Sequence, residues 1–430
     1  MYHLIPKRFP FSATNMKPQT GETISIDEVR SHFPALERVH NGHPVAYFDG
    51  PGGTQVPRAV VEAMNEYLYN HNANTHWGYP TSDETDAMID EARLAFADFF
   101  NARPDEIVFG QNMTSLTFHL ARALGRRLEP GDEIIVTELD HHGNVDTWRS
   151  LENERGIVIR TVPMNVETGQ LEIDKFDQLL SKRTKLVAIG AASNALGTIN
   201  DFKYFVDAAR DAGALSFVDA VHYAPHNLID VQETGCDFLA CSAYKFYGPH
   251  IGILFGRLEL LEELDFPKIR PALDNSPERV ETGTLSHEGI VGAAAAVDFI
   301  AGFGSGETRR ERLSNAFARF GRHDAELVKI LHDGLSSIGP VKLYGPGLDQ
   351  KRTSLVSCTV GDHSSRTVAE ALVDDGLFLS SGDFYAATVV ERLGVEEQGL
   401  LRAGCAIYTT KKEVERLVGA VTKFATRFSR

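Results

Sequence analysis

EIVF (106–109), EIIVTE (133–138), IVIRTVP (157–163), KLVAIGAAS (185–193), ALSFVDA (214–220), FLACSA (238–243) and IGILFG (251–256) are seven short apolar runs separated by stretches of helical period. Such alternation of β-branched runs with helices predicts an α/β fold on a mostly parallel sheet covered by helices. In sheets of this kind ligands bind outside the carboxyl ends of the strands, so the polar residues that follow each run are the first candidates for chemistry.

Upstream of the runs, Ser25 and Glu28 have capping-box spacing ahead of Ile26, Val29, Phe33 and Leu36, and a second helix is expected from Pro57. Downstream, a charged helix is expected over 307–337, short strands around Val341 and Val356, and a last helix opened by Thr410 and Glu413. The expected organisation is a loose arm at 1–24, a large domain at 25–303 and a smaller α+β domain at 304–430. Gly302–Gly306 is the candidate linker, and 25–45 is expected to pack on the small domain.

The 430 residues carry 59 acidic against 43 basic side chains, a net charge of −16. That balance argues against a duplex nucleic-acid binder and against an anionic membrane surface. No uncharged apolar run reaches membrane-spanning length, and the opening lacks the apolar stretch of a signal peptide. The four cysteines, Cys236, Cys241, Cys358 and Cys405, show none of the paired spacings of a metal site, so a reducing, cytoplasmic location is expected.

The strand-end groups come in order: Thr114 and Ser115, then His141 and His142, Asn194, Asp219 and His222, and finally Ser242 with Lys245. Asp219 closes an apolar run, where a buried carboxylate needs a cation or donor, although an isolated strand-end Asp is more often a helix cap. Lys245 follows another apolar strand; buried there, its pKa falls and it suits Schiff-base chemistry, whereas alone it reads as a surface lysine. Thr114 and Ser115 open a helix and are an N-cap by default, a phosphate cradle only in company. A metal-dependent hydrolase using His141, His142, Asp219 and His222 stays open, but it leaves Lys245 and Arg402 unused; a non-catalytic relative of an enzyme is the third possibility.

In this company the chain resembles the pyridoxal 5′-phosphate enzymes of aminotransferase class V, in the cysteine-desulfurase branch. The segments that carry the likeness are YFDGPGGTQVP (47–57), THWGYPTSDET (75–85), ELDHHGNVDTW (138–148), SNALGT (193–198), FVDAVHYAPH (217–226), CSAYKFYGPHIGILFG (241–256), ETGTLS (281–286) and LRAGCAIYTTKKEVERLV (401–418). The resemblance implies fold type I and a homodimer. It makes Lys245 the Schiff-base lysine, pairs Asp219 with the pyridine nitrogen and stacks His141 on the ring. It also gives the phosphate to Met113, Thr114 and Ser242, with Thr284 added from a second subunit. Asn194 matches a position near the phenolic oxygen, and Arg402 matches the arginine that clamps the substrate carboxylate.

Departures from the family pattern sharpen the expectation. His222 stands where a glutamine usually bonds the phenolic oxygen, Tyr244 where a histidine precedes the lysine, and Tyr385 about where desulfurases place the cysteine that attacks sulfur. The expected reaction on a small amino acid is therefore Cα deprotonation by Lys245 and Cβ–S elimination, a C–S lyase chemistry, rather than persulfide formation. A class V aminotransferase or epimerase is the rival, as is a desulfurase with an unusual thiol. Tyr385 and His76 are candidates for a second proton donor, with His76 near the substrate.

Overall fold

The computed structural model describes residues 25–428, so the arm expected at 1–24 lies outside the described residues. All seven runs are strands: β1 (Ile107–Gly110), β2 (Glu133–Thr137), β3 (Val158–Val162), β4 (Thr184–Gly190), β5 (Leu215–Asp219), β6 (Phe238–Ser242) and β7 (Gly252–Gly256). They form one sheet in the order β1-β7-β6-β5-β4-β2-β3. Every pairing is parallel except those of β7, which runs antiparallel to both β6 and β1.

Successive residues of each strand enter different cores, as a two-residue period requires. Ile107, Phe109, Ile135, Val187, Ile189, Val218, Leu239 and Ile253 face one apolar cluster. Val108, Ile134, Val136, Leu186, Ala188, Phe217, Ala240 and Leu254 face the other. Burial on both faces explains why the runs lack polar alternation.

A second, antiparallel sheet joins β8 (Val341–Tyr344), β9 (Leu355–Val360), β10 (Ser380–Gly382) and β11 (Leu400–Gly404) in the order β8-β9-β11-β10. Two long helices share its core: Arg309–Ser336 supplies Leu327, Leu331 and Leu335, and Lys411–Phe428 supplies Val414, Leu417 and Val421. Both open on reciprocal caps. Glu311 N–H donates to Thr308 while the Glu311 carboxylate accepts from Thr308 N–H, and Thr410 with Glu413 repeats the arrangement.

The first helix is shorter than its apolar spacing suggests. It ends at Ser31, because Pro34 cannot continue the ladder, and the chain restarts as a 3-10 turn at Pro34–Glu37. Residues 25–47 touch both sheets' surroundings: Phe33 packs edge-on against Tyr247, Phe299 and Tyr408, Arg30 pairs with Glu413 at 3.0 Å, and Ala46–Tyr47 pairs with Leu377–Phe378. The glycine stretch at 302–306 is a packed turn, with Phe303 fully buried against Phe299 and Phe320.

Candidate active site

Because β1, β2, β4, β5 and β6 all point the same way, their carboxyl ends gather the polar residues that follow them around a single cavity of about 770 Å³. Its wall includes Met113, Thr114, His141, Asn194, Asp219, His222, Ser242, Tyr244, Lys245, Tyr385 and Arg402. These residues are up to 289 positions apart in the chain, from Met113 to Arg402.

Lys245 ends a short 3-10 turn after β6, and its ammonium donates to the carbonyl oxygens of Pro51 at 2.6 Å and Gly52 at 3.0 Å. Burial, followed by the nearby Arg402 charge, pushes it down to about 7. The Tyr244 ring lies beneath the ammonium, 4.7 Å from it, and stacks on His250 at 4.8 Å.

Asp219 is the last residue of β5 and is buried, accepting from Val221 N–H at 2.9 Å. Burial lifts its carboxyl to about 6, against the opposing pull of that N–H and of Lys245. A second carboxylate, Asp140, stands close by, and the sequence reading passed over it. It accepts from Gly190 N–H at 2.7 Å and from the Asn144 amide at 3.2 Å; burial and then the Asp219 charge lift it to about 8. Gly190 leaves room for this contact, since a Cβ there would lie 2.5 Å from Asp140 Oδ1 and displace the carboxylate.

Opposite the carboxylates, the helix Met113–Gly125 starts against β7. Met113 N–H donates to Ser242 Oγ at 3.0 Å, and Asn112 caps Ser115 N–H at 2.9 Å. Gly252 permits this approach, because a side chain there would overlap the Asn112 backbone.

His141 accepts from Gly143 N–H through Nδ1 at 2.8 Å, which places its ring proton on Nε2. Burial, then the Lys245 charge, holds the ring neutral by lowering its pKa to about 4. His142 is turned toward Asp146, 2.7 Å away, and its backbone N–H donates to the Tyr385 carbonyl at 2.7 Å.

Arg402, in the middle of β11, donates to the Asn194 carbonyl at 2.8 Å and to Ser380 Oγ at 3.3 Å, while its Nε has no partner among the described residues. Burial lowers it to about 9, Asp49 opposing. The Phe384 ring covers the guanidinium at 4.0 Å. Phe384 and Tyr385 both adopt left-handed backbone, at φ 59° and 57°, and Asn194 pins the loop by donating to the Phe384 carbonyl at 2.9 Å. Tyr385 itself is exposed, its ring 5.6 Å from that of His141.

Two predicted residues do not join this cavity within one chain. His76, exposed and facing Asp86, and Thr284 instead line a separate, open cleft together with Trp77, Ile269 and Leu273. Among the described residues no three His, Cys, Asp or Glu side chains converge as a metal site, so the four residues of the hydrolase alternative do not form one. All four cysteines are buried. Burial pushes each thiol upward, Cys358 to about 12. Asp49, Thr353 and Phe384 also escaped the sequence reading, since their partners are remote in sequence.

The aminotransferase class-V family model matches residues 46–417. The cysteine desulfurase of Pectobacterium carotovorum is 31% identical over 414 residues, spanning 93% of this chain and 97% of that protein. The apo cysteine desulfurase of Thermococcus onnurineus superposes with a TM-score of 0.84 at 31% identity, covering 94% and 98% of the two chains. The Escherichia coli cysteine desulfurase CsdA gives 0.81 at 27%, with 94% and 99% covered. A match of this extent, on a sheet whose strand ends converge as described, shows that the chain belongs to the aminotransferase class-V family, as an enzyme of its cysteine-desulfurase-like group.

Proposed function

We propose that the protein binds pyridoxal 5′-phosphate, removes the Cα proton of a small, cysteine-like amino acid and releases the sulfur on Cβ by elimination. The observation that carries this reading is a cavity uniting a lysine lowered toward neutrality, a buried carboxylate and an incompletely paired guanidinium, with every cysteine buried away from solvent.

The residues present fit the cofactor. Asp219 is a buried carboxylate in want of a cation, which suits a protonated pyridine nitrogen. The helix start at Met113 and Thr114, beside Ser242, suits a phosphate. The neutral, flat ring of His141 suits stacking, and His222 Nδ1 and Asn194 Oδ1 are buried with no partner among the described residues. When bound, the cofactor supplies an electron sink for negative charge at Cα.

Around it, Arg402 takes the substrate carboxylate through its guanidinium, and Lys245 accepts the Cα proton. The C–S bond then breaks with its electron pair leaving on sulfur, and Tyr385, at the cavity mouth, returns a proton to that sulfur. Hydrolysis of the released enamine gives pyruvate and ammonia. Phe384 and Tyr385 occupy the loop where a persulfide-forming thiol would be needed, and that supports elimination over desulfuration.

We also assign the working unit as a homodimer in the cytoplasm. The open cleft holding His76 and Thr284 is flanked by exposed Trp77, Ile269 and Leu273, a surface suited to a second copy that would bring Thr284 to its partner's phosphate site. Residues 25–303 and 304–430 are taken as the two domains.

The test is a visible spectrum of the purified protein with added pyridoxal 5′-phosphate, followed by L-cysteine with pyruvate, alanine and sulfide assayed separately. A cofactor band with equal pyruvate and sulfide is expected. Sulfide accompanied by stoichiometric alanine would replace elimination by desulfuration, and absence of any band would overturn the cofactor assignment.

A further inference from the structure

His222 is fully enclosed on the cavity wall after β5, 3% exposed. Its Nε2 lies 3.0 Å from Thr353 Oγ1, while Nδ1 has no partner among the described residues. Thr353 precedes β9 and is 2% exposed, and His222 is the one polar partner of its hydroxyl among the described residues. His226 packs edge-on against the ring at 5.4 Å; it, Arg402 and Lys245 are the charged or titratable groups that bear on it, and together with burial they keep it neutral.

A neutral imidazole carries one proton, and a threonine hydroxyl carries one. If His222 donated through Nε2, the Thr353 hydroxyl hydrogen would be left without an acceptor among the described residues, a loss of the kind folded proteins avoid. If Thr353 donates to Nε2, its hydrogen is satisfied and the ring proton must sit on Nδ1. Asn194, which also lines the cavity, already donates its amide to the Phe384 carbonyl.

We infer that Thr353 is a positioning residue that locks His222 in the tautomer protonated on Nδ1, so that the cavity is given a fixed hydrogen-bond donor for the phenolic oxygen of a pyridoxal cofactor. The cofactor end of this inference rests on the function proposed above; the tautomer itself does not. A donor at that oxygen favours the deprotonated, more anionic form of the bound cofactor, and thereby sets the pH at which its visible band changes.

The tautomer is read from ¹⁵N chemical shifts of the histidine-labelled, cofactor-free protein, with the His222 signals assigned by their loss in His222→Gln. Protonated Nδ1 and bare Nε2 are expected between pH 6 and 9, and the reverse pattern would overturn the inference whatever the cofactor proves to be. In the pyridoxal-phosphate-loaded protein, Thr353→Val is expected to raise the midpoint of the visible-band titration by about one pH unit, a tenfold change in proton affinity. Thr353→Ser, which keeps the hydroxyl, should restore it. An unmoved midpoint in Thr353→Val would overturn the positioning role, whereas absence of any band in wild type would defeat the functional reading and leave the tautomer result standing.

Discussion

The Lys245 ammonium donates to the Pro51 carbonyl oxygen across 2.6 Å, a bond between groups 194 positions apart in sequence. Carbonyl dipoles satisfy its hydrogen bonds without supplying a counter-charge, so the ammonium stays costly to keep and its proton is loosely held.

That cost gives a stability prediction for the cofactor-free protein. The folded value, about 7, lies below the ordinary 10.5, so the penalty is absent above pH 10.5 and complete below pH 7. Lys245→Met should raise stability by roughly 2 kcal/mol at pH 6 in denaturant melts, while removing covalent cofactor attachment.

Asp140 predicts a trend of the opposite kind. Its folded value, near 8, exceeds the ordinary 3.8, so the native state retains a proton that the unfolded chain gives up, and stability contributed by this group is lost as pH rises from about 4 to about 8. Asp140→Asn, compared with wild type by thermal unfolding at pH 5 and pH 8, should gain up to roughly 4 kcal/mol of relative stability across that interval. A difference independent of pH would show that Asp140 ionises normally.

Arg402→Ala should raise KM for an amino-acid substrate about 100-fold, the loss of a charge-assisted pair, with the cofactor band retained. Loss of the band together with substrate binding would place the guanidinium on the cofactor instead.

Thr308, which is not among the cavity-lining residues, offers a control: Thr308→Ala removes the cap that accepts from Glu311 N–H at 3.2 Å and should cost about 1 kcal/mol by chemical denaturation, with catalytic constants unchanged.

The seven strands were legible because both faces of the main sheet are buried, so each strand appears as an uninterrupted Val- and Ile-rich run. The reversed direction of β7 was not, since apolar pattern records burial and carries no sign of pairing direction. Strand-end residues such as Asp219 and Lys245 stood out for being polar immediately after apolar runs. Asp140 met the same criterion and was hidden by the two histidines beside it. Thr353 and Phe384 had no local signal, because each matters only through a residue far off in the chain, His222 and Arg402. Pro34 did carry a local signal, and its power to end the first helix outweighed the apolar spacing around it.

The placement of β7 between β6 and β1 also makes the pocket depend on distant parts of the chain at once. Met113 and Ser242 meet at the edge of that intervening strand, so this corner of the cavity needs β1, β6 and β7 together, whereas the corner at Arg402 needs the second sheet as well.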